Sequence, residues 1–134
     1  MILLDTQTLV WFYEGISELG EKARALIDGS FGRKCTAMSF WEIAMLVDKG
    51  RLVLSLPVDR WAARVTAEGR IEVVPVTWEL AVDAGQLPGS IHGDPADRMI
   101  VATARALGCP LVTADRKIIA YAAQGHVRAV DARR

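Results

Sequence analysis

Short apolar segments that end at a carboxylate alternate with helix-like segments along the chain. Ile2-Leu3-Leu4 is followed by Asp5, and Pro110-Leu-Val-Thr113 is followed two residues later by Asp115. Strands that alternate with helices predict a parallel sheet with helices on both faces. Open sheets of this class bind ligands in the crevice beyond the carboxyl ends of their strands. The pattern therefore predicts an α/β fold with acidic groups at its ligand-binding edge.

Periodicity and capping residues predict the individual elements of this fold. Strands are expected at residues 2–4, 33–38, 71–76, 110–113 and 126–130, the third of them at a sheet edge because of Pro75. Helices are expected at residues 8–14, 18–28, 39–50, 58–68, 78–84, 94–107 and 115–123. Ser17 is expected to cap the second helix, and Ser39 begins the third. Asp94-Pro95 provides the residues preferred at the cap and at the first position of a helix.

Length and composition limit the class of protein. The 134 residues indicate one domain spanning residues 1–134, and a hydrophobic content of 51% supports a full core. The mean hydropathy of +0.22 is high for a small soluble protein and indicates a buried partner surface. The formal net charge of +0 means that any contact with nucleic acid uses local basic clusters, namely Arg33–Lys34, Lys49–Arg51 and Arg116–Lys117.

The sequence contains no targeting or membrane signal. No apolar run approaches the ~18 residues of a membrane span, and the start Met-Ile-Leu-Leu-Asp lacks the basic region of a signal peptide. Cys35 and Cys109 show no metal or redox spacing, so we expect two buried thiols in a reducing compartment. We therefore expect a cytoplasmic protein without a membrane partner.

Four carboxylates define the candidate site: Asp5, Glu42, Asp97 and Asp115. Each lies where a strand ends or a helix begins, so the fold would bring them to one edge of the sheet. Four buried like charges repel one another, and they stay ionised together only when a cation joins them. Ligands that are all oxygen atoms favour Mg²⁺ or Mn²⁺.

Each acid also has an ordinary structural interpretation. Glu42 fits a capping box that starts at Ser39, Asp97 fits the negative charge favoured in a first helical turn, and Asp115 fits a helix cap. Asp5 is harder to explain in this way, because it directly follows a buried strand. Since the ordinary interpretation has to hold four times at one sheet edge, we favour the functional one.

Four motifs carry a family resemblance: Met1-Ile-Leu-Leu-Asp5-Thr6, Ser39-Phe-Trp-Glu42-Ile-Ala44, His92-Gly-Asp94-Pro-Ala-Asp97-Arg98, and Leu111-Val-Thr113-Ala-Asp115. In order and spacing they resemble PIN-domain ribonucleases, and more narrowly the VapC-type toxins of bacterial toxin–antitoxin pairs. Gln7 stands where many relatives carry His or Asn, and Ala96 stands where an aromatic residue is common. These departures concern the fit of the substrate, because neither removes a carboxylate.

The resemblance implies a PIN-like three-layer α/β/α sandwich with a central, mostly parallel sheet. It also implies a Mg²⁺-dependent (or Mn²⁺-dependent) endoribonuclease that forms a homodimer and is inhibited by a VapB-type antitoxin. By motif position, Asp5 and Asp97 would be the principal metal ligands, and Glu42 and Asp115 would complete the acidic set. Asp94 would be a supporting acid that also caps its helix.

Three alternatives compete with this hypothesis. A haloacid-dehalogenase-type phosphatase needs an acid two residues after its first aspartate, where this chain has Gln7. A response-receiver module needs an acidic pair near the first strand and a lysine after the last core strand, and neither is present. A catalytically inactive PIN-like RNA-binding or regulatory module stays open as the alternative. His92 and His126 lack a partner at ligand spacing, and whether His92, Arg98 or Arg116 contacts the substrate also stays open.

Overall fold

The computed structural model describes the whole chain, from Met1 to Arg134. Five strands form one sheet in the order β3-β2-β1-β4-β5, and every neighbouring pair is parallel. The strands are β1 (Ile2–Leu4), β2 (Arg33–Thr36), β3 (Ile71–Val74), β4 (Leu111–Thr113) and β5 (Ala129–Asp131). The edge position predicted for the third strand is confirmed, and Pro75 follows it directly.

Seven helices connect and cover the strands. They are α1 (Thr6–Glu14), α2 (Glu21–Asp28), α3 (Ala37–Asp48), α4 (Val58–Glu68), α5 (Trp78–Gly85), α6 (Pro95–Leu107) and α7 (Arg116–Ala123). The predicted cap of α6 is confirmed, because Asp94 caps it with Pro95 at its first position. Asp115 caps α7, which is the structural role that its ordinary interpretation gave it. None of the seven helices combines the length with the apolar composition of a membrane-spanning segment.

Alternating side chains on the central strand divide the core into two layers. Ile2 and Leu4 belong to a cluster that includes Trp11 and Trp61 of the helices on one face. Leu3 belongs to a second cluster on the opposite face, together with buried residues of α6 and α7. Because successive residues of a strand point to opposite sides of a sheet, this division is that of an α/β/α sandwich. The predicted fold class is confirmed, and the sheet is parallel throughout.

The start of α2 differs from the prediction. The helix begins at Glu21 rather than at residue 18, and its cap is Gly20, without a side-chain hydrogen bond, rather than Ser17. The C-terminal segment lies against Gly20: its N–H donates to the Ala132 carbonyl at 2.8 Å, and a β-carbon there would lie 2.2 Å from Arg134. Close packing of the chain end, which local sequence does not reveal, therefore fixes this boundary.

The start of α3 also differs, and this difference affects the site. The helix begins at Ala37, directly after β2, and its cap is Thr36, whose hydroxyl accepts a hydrogen bond from the Met38 N–H. Ser39 is buried inside the helix, so the proposed capping box between Ser39 and Glu42 is wrong. Glu42 is therefore free of the backbone role that the ordinary interpretation gave it.

The order of the strands creates a crevice at the carboxyl end of the sheet. From β1 the chain builds outward through β2 and β3, and then returns to the other side of β1 with β4 and β5. The direction of winding therefore changes between β1 and β4, which is the usual position of a ligand site in an open parallel sheet. Asp5 and Asp115 follow these two strands.

Candidate active site

A cleft of about 380 Å³ lies at the carboxyl ends of β1 and β4. All four carboxylates that the sequence analysis selected line it: Asp5, Glu42, Asp97 and Asp115. They come from the end of β1, the middle of α3, the first turn of α6 and the start of α7. Segments that are far apart in sequence thus bring four acids to one opening.

Asp5 is the most deeply buried of these acids. Its side chain also caps α1, because Oδ1 accepts a hydrogen bond from the Thr8 N–H at 2.8 Å, while Oδ2 accepts one from the hydroxyl of Thr113. Burial raises the pKa of Asp5 above its ordinary value, although these hydrogen bonds oppose the rise. The helix α1 begins at Thr6, two residues earlier than predicted, because Asp5 is its cap.

Thr113 connects two of the acids. Its hydroxyl donates to Asp5 and accepts a hydrogen bond from the Asp115 N–H at 3.0 Å. Asp115 in turn caps α7, because its Oδ1 accepts from the N–H groups of Lys117 and Ile118 at 2.8 and 3.2 Å. The other oxygen of Asp115 has no hydrogen bond within the chain, so it is available to a ligand in the cleft.

Glu42 lies in the second turn of α3 and is partly buried. Burial raises its pKa, and the charges of Asp94, Asp5 and Asp115 raise it further, whereas a hydrogen bond from Thr6 lowers it. The hydroxyls of Thr6 and Ser39 are hydrogen-bonded to each other at 3.0 Å and hold α1 against α3. These contacts fix the helix that carries Glu42 beside the strand end that carries Asp5.

Asp97 shows the strongest sign of crowded negative charge. Its backbone N–H donates to the capping carboxylate of Asp94 at 3.1 Å. Burial raises the pKa of its side chain to about 8, and the charges of Asp94, Asp115, Glu42 and Asp5 contribute to the rise. Asp94 itself is exposed and does not line the cleft. Its observed role is the predicted helix cap.

His92 lies at the site, although the sequence offered no ligand partner for it. Its Nε2 is 3.3 Å from Oδ2 of Asp97, but without the alignment of a hydrogen bond. Its Nδ1 accepts a hydrogen bond from the Asp94 N–H at 3.4 Å. Ligand atoms of His92, Asp97 and Asp115 all lie within 4.8 Å of one another, which makes this trio a compact donor group.

The two arginines that follow site acids have different surroundings. The guanidinium of Arg98 turns away from the cleft and donates to four backbone carbonyls, those of Ala84, Gly85, Ile91 and His92. It therefore anchors the loop before α6 and is not free to contact a substrate. Arg116 is exposed at the start of α7 and does not line the cleft.

Sequence reasoning gave no site role to Thr6 or Thr113, left open whether His92 contacts the substrate, and named Arg51 only within a basic cluster that could contact nucleic acid. Thr6 and Thr113 each stand within two residues of a site acid, and a hydroxyl at a strand end is a signal for such support. Arg51 lines the cleft from the segment after α3 and shares no motif with the acids. The loop before α6, which brings His92 to Asp97, has no periodicity that could have placed it.

The four carboxylates of the cleft fit a divalent cation. Three of these carboxyl groups have pKa values raised by burial and by mutual repulsion, so the metal-free site carries an electrostatic cost. A cation among carboxylate oxygens reverses that cost, and hard divalent ions such as Mg²⁺ and Mn²⁺ prefer these ligands. The arrangement can therefore hold such an ion.

Comparison with known proteins agrees with this geometry. A family model described as "PIN domain" matches residues 2–124. Ribonuclease VapC22 of Mycobacterium tuberculosis is 34% identical over 117 residues, which cover 87% of this chain and 88% of that protein.

Solved structures share the fold at lower identity. FitAcB from Neisseria gonorrhoeae superposes with a TM-score of 0.65 at 21% identity, covering 98% of this chain and 97% of that one. VapBC2 from Rickettsia felis, bound to a DNA fragment from its promoter, gives a TM-score of 0.66 at 18% identity, covering 97% and 98%. The chain belongs to the PIN-domain family and, within it, to the VapC ribonucleases.

Proposed function

We propose that this chain is a Mg²⁺- or Mn²⁺-dependent endoribonuclease and the toxin of a toxin–antitoxin pair. The observation that carries the proposal is the convergence of four carboxylates in one cleft, where the pKa of Asp97 is raised to about 8. Such crowding destabilises a metal-free protein and is useful when the acids hold a cation. The family provides the substrate class, because VapC22 is named a ribonuclease.

The residues have distinct roles in this proposal. Asp5 and Asp97 are the principal metal ligands, and Glu42 and Asp115 complete the acidic set. When bound, a divalent cation would neutralise charge on the phosphate and lower the pKa of a water molecule. The Thr113 hydroxyl is hydrogen-bonded to both Asp5 and the Asp115 N–H, so it fixes the start of α7 relative to Asp5. Asp94 supports the site by capping the helix that carries Asp97.

The chain's own groups also suit the transfer of a proton. Glu42 is partly buried and its raised pKa makes it a better proton acceptor than an exposed glutamate. We assign it the proton of a water molecule that attacks phosphorus in line. The bond from phosphorus to the 3′ oxygen breaks and the leaving oxygen takes up a proton from solvent water, so the products carry a 5′-phosphate and a 3′-hydroxyl. No cyclic phosphate forms, because the 2′-hydroxyl takes no part.

The partners of this toxin follow from the relatives and the surface. The relatives of known structure include a toxin–antitoxin complex from Klebsiella pneumoniae, with a TM-score of 0.59. Large apolar side chains are exposed on this chain, among them Phe31, Trp41 and Trp78. We infer a cytoplasmic homodimer that binds a VapB-type antitoxin through an amphipathic segment. Light scattering at micromolar concentration should show a dimer.

The alternative function is that of a catalytically inactive PIN-like module that binds RNA or regulates a partner. It is less consistent with the cleft, because a protein that only binds RNA gains nothing from four acids that repel phosphate. An assay for cleavage separates the two, since an inactive module would bind RNA and leave its length unchanged.

The test is cleavage of total RNA by purified protein with Mg²⁺, with Mn²⁺ and with EDTA. We expect discrete fragments with either metal, none in EDTA, and 5′-phosphate ends that a ligase accepts. Asp48→Asn is the matched control, because Asp48 is an exposed acid on the same helix as Glu42 and lies outside the cleft. Undiminished cleavage in EDTA, or 2′,3′-cyclic phosphate ends, would contradict the proposal.

A further inference from the structure

Arg51 is the only basic side chain that lines the acidic cleft. It is exposed, and its guanidinium makes no hydrogen bond or ion pair with any residue of the chain, the four carboxylates included. The other arginines near the site are committed elsewhere or lie outside the cleft, as Arg98 and Arg116 show. Arg51 therefore presents an unused positive charge at the rim of the site.

The backbone that carries Arg51 is held in place by the end of α3. The Arg51 N–H donates to the Leu46 carbonyl at 2.9 Å, and the Gly50 N–H donates to the Val47 carbonyl at 3.0 Å. This pair of bonds is the Schellman motif, in which the residue after the cap takes a left-handed conformation, here Gly50 with φ of 70°. The motif fixes where the side chain of Arg51 begins while its end stays free.

The charges that line the cleft indicate what the guanidinium of Arg51 can bind. Four carboxylates and one guanidinium line the opening, and the whole chain has a formal net charge of +0. The four carboxylates form the acidic floor of the cleft, and a polyanion that approaches them meets net repulsion. A bound divalent cation would offset this repulsion only at the floor. On the side of the cleft formed by α1 and the end of α3, Arg51 is the cation that can attract a neighbouring phosphate.

We propose that Arg51 binds a backbone phosphate of the RNA strand next to the phosphate that is cleaved, and so positions the strand across the acidic floor. The inference rests on the proposed ribonuclease function and deepens it by naming a substrate contact. Arginine suits this contact because its planar fork binds phosphate oxygens in pairs. Such a contact does not depend on base identity, so it contributes affinity and register but not sequence preference.

The test is steady-state cleavage of a labelled single-stranded RNA by wild type, Arg51→Ala, Arg51→Lys and Lys49→Ala, at several KCl concentrations. Lys49 is the matched control, because it is an exposed cation at the same helix end and does not line the cleft. We expect Arg51→Ala to raise KM roughly tenfold at low salt with kcat nearly unchanged, as for the loss of a charged hydrogen bond. Arg51→Lys should recover part of the affinity.

A second measurement follows binding without cleavage. In an Asp97→Asn background, adding Arg51→Ala should lower the slope of log affinity against log salt by about 0.7, the value for one phosphate contact to a single strand. Lys49→Ala should leave that slope unchanged. The loss should also be equal for RNAs of different sequence.

The outcomes separate this inference from the proposed function. Wild type that cleaves RNA while Arg51→Ala keeps the same KM and salt slope overturns the role of Arg51 alone. That role is also overturned if Arg51→Ala changes only the melting temperature or the metal affinity, because Arg51 then serves to neutralise the acids. Wild type that neither cleaves nor binds RNA overturns both proposals.

Discussion

At the scale of the residue, the raised pKa of Asp97 makes the metal-free protein sensitive to pH. A carboxyl group with a pKa of about 8 in the folded state and 3.8 when unfolded binds more protons folded than unfolded between these values. The free energy of unfolding therefore rises as pH falls through that window. In EDTA, we expect the melting temperature of the wild type to be higher at about pH 6 than at about pH 8.5.

Asp97→Asn provides the check on this assignment. The substitution removes the titrating group, so the pH dependence in EDTA should become flatter, and the melting temperature near pH 8.5 should equal or exceed that of wild type. Asp48→Asn, an exposed control, should keep the wild-type profile. A wild-type melting temperature that rises with pH over this range would contradict the raised pKa of Asp97.

Thr113 gives a second prediction, because one hydroxyl serves two acids of the cleft. Thr113→Val keeps the shape of the buried side chain but leaves the Asp115 N–H and one oxygen of Asp5 without a partner. We expect a loss of about 1–3 kcal/mol in the free energy of unfolding and a large loss of cleavage. Urea denaturation and RNA cleavage assays of Thr113→Val and Thr113→Ser test this prediction. Because serine retains the hydroxyl, Thr113→Ser should recover both stability and cleavage.

At the scale of the element, α3 shows how a local pattern can mislead. The segment from Ser39 to Glu42 matches a capping box, yet the helix starts at Ala37 because Thr36 both ends β2 and caps α3. A strand that passes into a helix without a loop leaves no turn signal in the sequence. The result favours the functional interpretation of Glu42, since its carboxylate faces the cleft rather than the backbone.

The end of α3 yields a prediction about backbone conformation. Gly50 has a φ of 70°, and a β-carbon there would meet no atom within 4 Å, so Gly50→Ala costs only conformational energy. We expect a loss of about 1–2 kcal/mol, the penalty of a left-handed residue with a side chain. Gly85→Ala is the control, because Gly85 ends α5 without a positive φ and is equally uncrowded. Equal stability of the two variants, measured in urea, would argue against the Schellman motif.

At the scale of the whole molecule, the features repeated along the chain could be predicted and the long-range contacts could not. Apolar strands that end in Asp5 and Asp115 indicated the parallel sheet and its acidic edge, and both are observed. The start of α2 escaped prediction because the C-terminus packs on Gly20, more than 100 residues away. The placement of His92 and Arg51 beside the acids escaped prediction, because it depends on how a loop and a helix end fold against the cleft.

For the four acids, too, the sequence predicts their position at the site but not their separate contacts. The sequence identifies four of them as the lining of one cleft, and the fold brings them together. The division of roles between them depends on hydrogen bonds and burial, which differ from one acid to the next. Asp5 has both oxygens engaged by Thr8 and Thr113, whereas one oxygen of Asp115 is free.

Binding of Mg²⁺ by the four carboxylates is the central claim, and a thermal titration with metal tests it most directly. Wild type at about pH 8 should gain melting temperature as Mg²⁺ or Mn²⁺ is added, because a ligand that binds only the folded state stabilises it. Asp97→Asn should start at an equal or higher temperature in EDTA, lose most of the gain with metal, and cleave RNA slower by orders of magnitude. Asp48→Asn should behave as wild type. A folded Asp97→Asn variant with the full metal-dependent gain and wild-type cleavage would contradict the account.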